Sequence, residues 1–65
     1  MFVWDYGKKT LVNVNHIVRV FLSEPYLEQM KFRVACTVEN GGSLILMEGT
    51  KEECLDYMAN FADKF

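Results

Sequence analysis

The stretch KFRVACTVENGGSLILME, from Lys31 to Glu48, decides the fold because it has the pattern of two β-strands joined by a tight turn. Its first half alternates apolar and polar side chains, which is the period of a half-buried strand. Asn40-Gly41 follows, and this dipeptide favours a two-residue type I′ loop because both residues tolerate positive φ. With a loop of that length, two residues of opposite charge lie directly opposite each other on the two strands. The register that it predicts pairs Val34 with Met47, Cys36 with Ile45, and Arg33 with Glu48.

A helix is predicted directly after this hairpin. Thr50 is a favourable N-cap, and Glu53, three residues later, completes a capping box. Apolar residues then recur at spacings of three and four, which predicts one apolar stripe along the helix. The stripe consists of Cys54, Leu55, Met58, Phe61, Ala62 and Phe65.

Three shorter β-type segments precede the hairpin, each bounded by turn residues. Asn13 and Asn15 predict a bend after the second of them. The complete order predicts a single α+β domain over residues 1–65, in which an antiparallel sheet of four to five strands is followed by one C-terminal helix packed on one face. The three segments are residues 2–6, 10–14 and 17–22.

Composition excludes several classes of protein. The chain has 65 residues, of which 51% are apolar, and a net charge of −2, which argues against disorder. Its length leaves room for one hydrophobic core. No apolar run in the sequence is long enough to span a bilayer, and none has the form of a signal peptide. With two cysteines and no such segment, we expect reduced thiols and a cytoplasmic protein.

The sequence offers no pattern for catalysis or for metal binding. Cys36, Cys54 and His16 do not match the spacing of a zinc site. His16 lies in the predicted bend, where a structural or solvated role is favoured over that of a general base. Glu52 and Glu53 lie at the start of the helix, where they complement its dipole. We therefore expect a protein without catalytic residues, metal or cofactor.

The predicted sheet is apolar on both faces, but one helix can cover only one of them. We expect the other face to contact a second copy of the chain, because large exposed apolar surfaces mark interaction sites. Alternatively, the N-terminal strands fold back and cover it. The face assigned to the helix carries Val18, Val20, Leu22, Val34, Cys36, Val38, Ile45 and Met47. The opposite face carries Arg19, Ala35, Thr37 and the predicted contacts of a homodimer or higher oligomer, Ile17, Phe21, Leu44 and Leu46.

The longest connection without a predicted element is residues 23–30. It contains Tyr26, Leu27 and Met30, which are common contact residues, and loops carry function more often than cores do. These three residues are therefore candidate interface residues. The alternative is a short helical turn that packs over an edge of the sheet.

Aromatic and basic residues lie close together near the N-terminus. Phe2, Trp4 and Tyr6 share one side of the first strand, and Lys8 and Lys9 follow them. Such a combination can stack and hold single-stranded nucleic acid. The alternative is that the three rings supply core or interface area. The net negative charge of the chain favours this alternative and makes nucleic-acid binding the weaker interpretation.

Three segments carry a resemblance to known families, namely VNVNHIVRV at residues 12–20, VENGG at 38–42 and GTKEEC at 49–54. In this order they resemble the small bacterial flagellar and swarming-motility proteins, in which an Asn-containing strand start leads to a hydrophobic strand, an Asn-Gly hairpin and a Ser/Thr-x-Glu-Glu helix. They are also similar to the β-rich core of LytTR-type DNA-binding domains. The resemblance implies the same order of elements and a bacterial or phage origin. The aromatic first strand and the long connection differ from that pattern, and the basic C-terminal strand that LytTR domains use on DNA is missing.

These observations predict a small, non-catalytic accessory or regulatory protein that acts through protein–protein contact as a homo-oligomer. That class includes inhibitors that occupy the surface of a larger enzyme. One alternative is a module that binds single-stranded nucleic acid. Another is an oligomer that sequesters a small ligand between its subunits. A membrane is not expected as a partner.

Overall fold

The computed structural model describes residues 1–25, 27 and 31–64. In this part of the chain it has five strands, one 3₁₀ turn and one α-helix. The α+β class is therefore confirmed. The elements are β1 (Phe2–Trp4), β2 (Leu11–Asn13), the 3₁₀ turn (Val14–His16), β3 (Ile17–Ser23), β4 (Phe32–Val38), β5 (Ser43–Gly49) and α1 (Lys51–Lys64).

The strands form two antiparallel sheets, so the prediction of one sheet of four to five strands is wrong. β1 pairs with β2, and β3, β4 and β5 form a second sheet in that order. The predicted bend separates the two sheets, since the Asn13 side chain accepts a hydrogen bond of 3.0 Å from the Asn15 backbone N–H and turns the chain between β2 and β3. One backbone bond links the sheets, in which the Tyr6 N–H donates to the carbonyl of Ile45 at 2.8 Å.

Four residues separate β4 from β5, and the bond between Val38 and Gly42 leaves three of them, Glu39 to Gly41, in the loop. The loop is therefore not the predicted two-residue type I′ turn. Gly41 has a φ of +90°, whereas Asn40 stays outside the left-handed region that a type I′ turn requires of it. The backbone N–H of Val38 donates to the carbonyl of Gly42 at 2.9 Å and closes the loop. The Asn40 side chain instead accepts the Gly42 N–H at 2.9 Å, which stabilises the longer loop.

A bulge at Leu46 compensates for the extra loop residue. Between the loop and Ala35 the register differs by one residue from the predicted one, so that Cys36 lies opposite Leu44 and not opposite Ile45. Leu46 is then the unpaired residue between two ladder positions, and the predicted register resumes beyond it. The pairs of Val34 with Met47 and of Arg33 with Glu48 are confirmed.

The shifted register changes which side chains face the helix. The core cluster consists of four buried side chains, those of Val34, Cys36, Leu46 and Cys54. Residues that pack against it include Ile17 and Leu44. The assignment of Ile17, Leu44 and Leu46 to an uncovered face is therefore wrong. A second bulge, between Ile17 and Arg19, leaves Val18 out of the strand pairing. The Val18 side chain is 67% exposed, so the prediction that it lies under the helix is wrong.

The helix begins with the predicted capping box. The Thr50 backbone N–H donates to Glu53 Oε1 at 2.9 Å, and the Glu53 N–H donates to Thr50 Oγ1 at 3.1 Å. The buried stripe is rotated relative to the prediction, because Leu55 is 46% exposed and Tyr57 packs against the core in its place. Among residues 1–25, 27 and 31–64 no helix combines the length and the apolarity that a membrane crossing requires.

Candidate protein-interaction surface

The N-terminal hairpin of β1 and β2 carries most of the large hydrophobic side chains that are exposed among the described residues. Five of the eight large hydrophobic side chains that are exposed in the described residues belong to residues 1–11. We call these five the aromatic hairpin surface. They are Met1 (68% exposed), Phe2 (60%), Trp4 (51%), Tyr6 (52%) and Leu11 (52%).

Strand alternation explains why these side chains point outwards. Val3 faces inwards and packs against the core cluster, and its partner Val12 on β2 is only 5% exposed. Phe2 and Trp4, one residue to either side of Val3, must then face the opposite way. Trp4 lies opposite Leu11, so the two form one apolar pair across the strands. Of the two roles in that interpretation, core area or interface area, the first is therefore wrong for the three rings, and the second stays a prediction.

The turn of this hairpin is ordered by an aspartate. The Asp5 carboxylate accepts backbone N–H bonds from Lys9 at 3.0 Å and from Thr10 at 3.2 Å, and the Asp5 carbonyl accepts the Lys8 N–H at 3.1 Å. Lys8 takes up a left-handed φ of 55° in the turn. The exposed Lys8 and Lys9 outnumber the single carboxylate of Asp5, so the net formal charge at this end of the hairpin is positive.

The opposite face of the three-stranded sheet is narrower than predicted. Its apolar residues form one row across the strands, in which Phe21 lies beside Ala35 and Ala35 beside Ile45. The Arg19 guanidinium lies 4.7 Å from the centre of the Phe21 ring and covers part of it. On the other side of the row Arg33 Nε donates to Glu48 Oε2 at 3.0 Å. Phe21 is thus the one predicted contact from the strands that remains on this face.

The connection between β3 and β4 is described only in part. Leu27 is 46% exposed, which agrees with its prediction as an accessible side chain. Tyr26 and Met30, the other two predicted contacts of this connection, lie outside the described residues.

The thiols are unsuited to nucleophilic chemistry. Cys36 and Cys54 are free and fully buried, and burial raises the pKa of both thiols above the usual range. A buried thiol with a raised pKa stays protonated at neutral pH, whereas the thiolate is the reactive form.

His16 Nδ1 lies 3.0 Å from Glu39 Oε2 in an exposed pair that connects the 3₁₀ turn to the β4–β5 loop. Among the described residues no three His, Cys, Asp or Glu side chains come together as metal ligands.

Two open cavities accompany these elements. The larger, about 570 Å³, lies at the start of α1 beside Phe32 and Lys51, but the capping box already occupies backbone groups there. The smaller, about 240 Å³, lies between Val3 of β1 and the helix α1. Its helix residues are Tyr57, Asn60, Phe61 and Lys64.

Comparison of the chain with family models, with curated proteins and with solved structures finds no match. The site is defined by its own geometry, that of an exposed aromatic surface on a hairpin whose turn is held by hydrogen bonds, with two lysines at one end.

Proposed function

We propose that this chain is a non-catalytic accessory protein that acts by binding another protein molecule through the aromatic hairpin surface. The observation that carries the proposal is the concentration of exposed Phe2, Trp4 and Tyr6 on one short hairpin. Aromatic side chains bury about 150–250 Å² each when they are enclosed, and Trp and Tyr dominate the binding energy of protein interfaces. Each of these rings is 51–60% exposed and lies outside the core cluster, so most of its area is open to a partner.

The hairpin is also built as a preorganised surface. The Asp5 carboxylate holds its turn, and the Tyr6 N–H bond to Ile45 attaches its end to β5. Val3 and Val12 fasten its inner face. A surface that is already ordered pays little conformational entropy on binding, which favours affinity.

Photo-crosslinking in the cells that produce the protein tests this function. Trp4 is replaced by p-benzoylphenylalanine, and in a matched control the same group replaces Val18, which is more accessible (67% exposed against 51%) but lies on β3. We expect irradiation to join position 4 to a discrete protein species and position 18 to none. The additional change Leu11→Ser should remove the product, because Leu11 is the cross-strand neighbour of position 4. Equal labelling from both positions would refute the proposal.

A second candidate function, single-stranded nucleic-acid binding, is favoured by one specific feature. Lys8 and Lys9 are exposed at the end of the same hairpin that carries the exposed rings. In that case single-stranded oligonucleotides should quench the fluorescence of Trp4, which is the only tryptophan, and the effect should weaken as salt is raised. The protein-binding function predicts no quenching, and crosslinks from position 4 to nucleic acid alone would decide for the second function.

A further inference from the structure

We propose that the molecule bound by the aromatic hairpin surface is a second copy of this chain, in a two-fold dimer whose hairpins each pack on the partner's helix. This inference rests on the proposed function and names its partner. It requires a surface on α1 that is complementary to the hairpin, a geometry that closes, and enough free area.

The outer side of α1 supplies the complementary surface. Leu55 is 46% exposed on this side, and it stands next to exposed acidic residues. At about 100° per residue, Glu52, Asp56 and Asp63 fall within about 40° of one another on the helix circumference. We call Glu52, Leu55, Asp56 and Asp63 the acidic helix surface.

The charges of the two surfaces are opposite. The hairpin carries Lys8 and Lys9 against one acidic side chain, Asp5, so its net formal charge is positive. The acidic helix surface has its three carboxylates on one strip of the helix, and Leu55 lies between this strip and the exposed Lys51. Each surface therefore combines apolar area with a net charge, positive on the hairpin and negative on the helix, which is the arrangement that directs specific association. A second copy of the chain offers the complement of each.

The position of the two surfaces allows the contact to close. The elements that carry them are neighbours in one molecule, because Val3 of β1 and Asn60 of α1 line the same cavity of about 240 Å³. On the helix circumference Asn60 is also the neighbour of Asp56, at about 40°. Two molecules related by a two-fold axis can then satisfy both contacts at once, hairpin on helix and helix on hairpin. A single contact of this kind would produce an open chain of molecules.

Free area is available on both surfaces. Each molecule contributes the aromatic hairpin surface and the acidic helix surface to the dimer, and their six large apolar side chains are each 46–68% exposed. A small specific interface takes roughly 600 Å² from each partner, and an aromatic side chain supplies about 150–250 Å² when it is enclosed.

A charge exchange tests the dimer. One variant carries Lys8→Glu with Lys9→Glu, and the other carries Asp56→Lys with Asp63→Lys. We expect the unmodified chain to sediment as a dimer at about 100 µM, and each variant alone to have a dissociation constant raised by about tenfold or more, since like charges then face each other. Mixed in equal amounts, the two variants should associate again, because both contacts of the mixed dimer then join opposite charges.

Several outcomes overturn this arrangement. An unmodified chain that stays monomeric at about 100 µM excludes the dimer. If the mixed variants do not recover association, a dimer exists through another surface, such as the free edge of β3. The matched control is Glu24→Lys. Glu24 lies outside both surfaces, so this change should leave the dissociation constant unchanged. Far-UV circular dichroism shows whether each variant is folded. The crosslink from position 4 separates the two proposals, since a monomeric chain that still crosslinks to a different protein keeps the proposed function.

Discussion

The replacement of Leu46 by Ala tests the register of the β4–β5 hairpin, because the predicted and the observed registers disagree on which residue of β5 is buried. In the structure Leu46 is 5% exposed and belongs to the core cluster, whereas its neighbour Ile45 faces the other side of the sheet and is half-buried. In the predicted register Ile45 would lie in the core and Leu46 outside it. In the observed register Leu46→Ala should lose more stability than Ile45→Ala, whereas the predicted register gives the reverse order.

The magnitude follows from burial. Truncation of a fully buried leucine to alanine costs about 2.7–5 kcal/mol, and we expect about 3 kcal/mol at Leu46 because it is one of the four buried side chains of the core cluster. At the half-buried Ile45 we expect about 1–1.5 kcal/mol. A domain of this length has a total stability of about 3–10 kcal/mol, so the first loss is a large part of it. A slope of about 1 kcal/mol per molar urea then predicts that the midpoint for Leu46→Ala falls by about 3 M.

The assay is urea unfolding followed by far-UV circular dichroism at one fixed protein concentration. The concentration must be held constant because self-association adds to the apparent stability. Fluorescence is less suitable, since Trp4 is already 51% exposed in the folded state. Equal losses for the two variants, or a larger loss for Ile45→Ala, would refute the bulge and restore the uninterrupted register.

Three further predictions concern local features. Thr50→Ala removes the N-cap and should cost about 1 kcal/mol in thermal unfolding. The bonds from Thr50 lower the pKa of the Glu53 carboxylate, so its contribution is present above the unfolded pKa and is lost as the pH falls through the lower folded value. Stability should therefore fall below about pH 4 in the unmodified chain and less steeply in the variant. Gly41→Ala should cost about 1 kcal/mol in urea unfolding, because φ is +90° there, and a result of zero would contradict the three-residue loop. Burial raises the pKa of Cys36 and Cys54, so the contribution of the two thiols to the unfolding free energy should be constant below the unfolded pKa and decrease above about pH 8.5. Replacing both by Val should remove that decrease.

Signals that act over a few residues were predictable. The capping box of Thr50 and Glu53 forms as its spacing indicates, since both hydrogen bonds join groups three residues apart. The bend at Asn13 forms for the same reason, because the side chain reaches a backbone N–H two residues away. In such cases the stabilising free energy comes from hydrogen bonds between near neighbours in the sequence, and no other part of the chain competes for the same groups.

The register of the β4–β5 hairpin and the face of the sheet on which each side chain lies were less predictable, because both depend on contacts between distant segments. The Asn40-Gly41 pair permits a two-residue or a three-residue loop, and the two differ by one residue in register. The bulge at Leu46 makes the longer loop compatible with the pairing of Arg33 with Glu48 further along. That compensation places Leu46 against Cys54 of the helix, and no property of β5 alone reveals it.

By itself, the sequence determined the α+β class, the order of the elements, the cap of the helix and two of the three predicted hairpin pairs. It also identified the rings of β1 as a group with a shared side. Only the tertiary structure decided that this side faces outwards. The core beneath α1 is filled by side chains of the other sheet, and the hairpin adds to it through the small Val3. The larger rings of Phe2, Trp4 and Tyr6 therefore remain outside, where they are available to a partner.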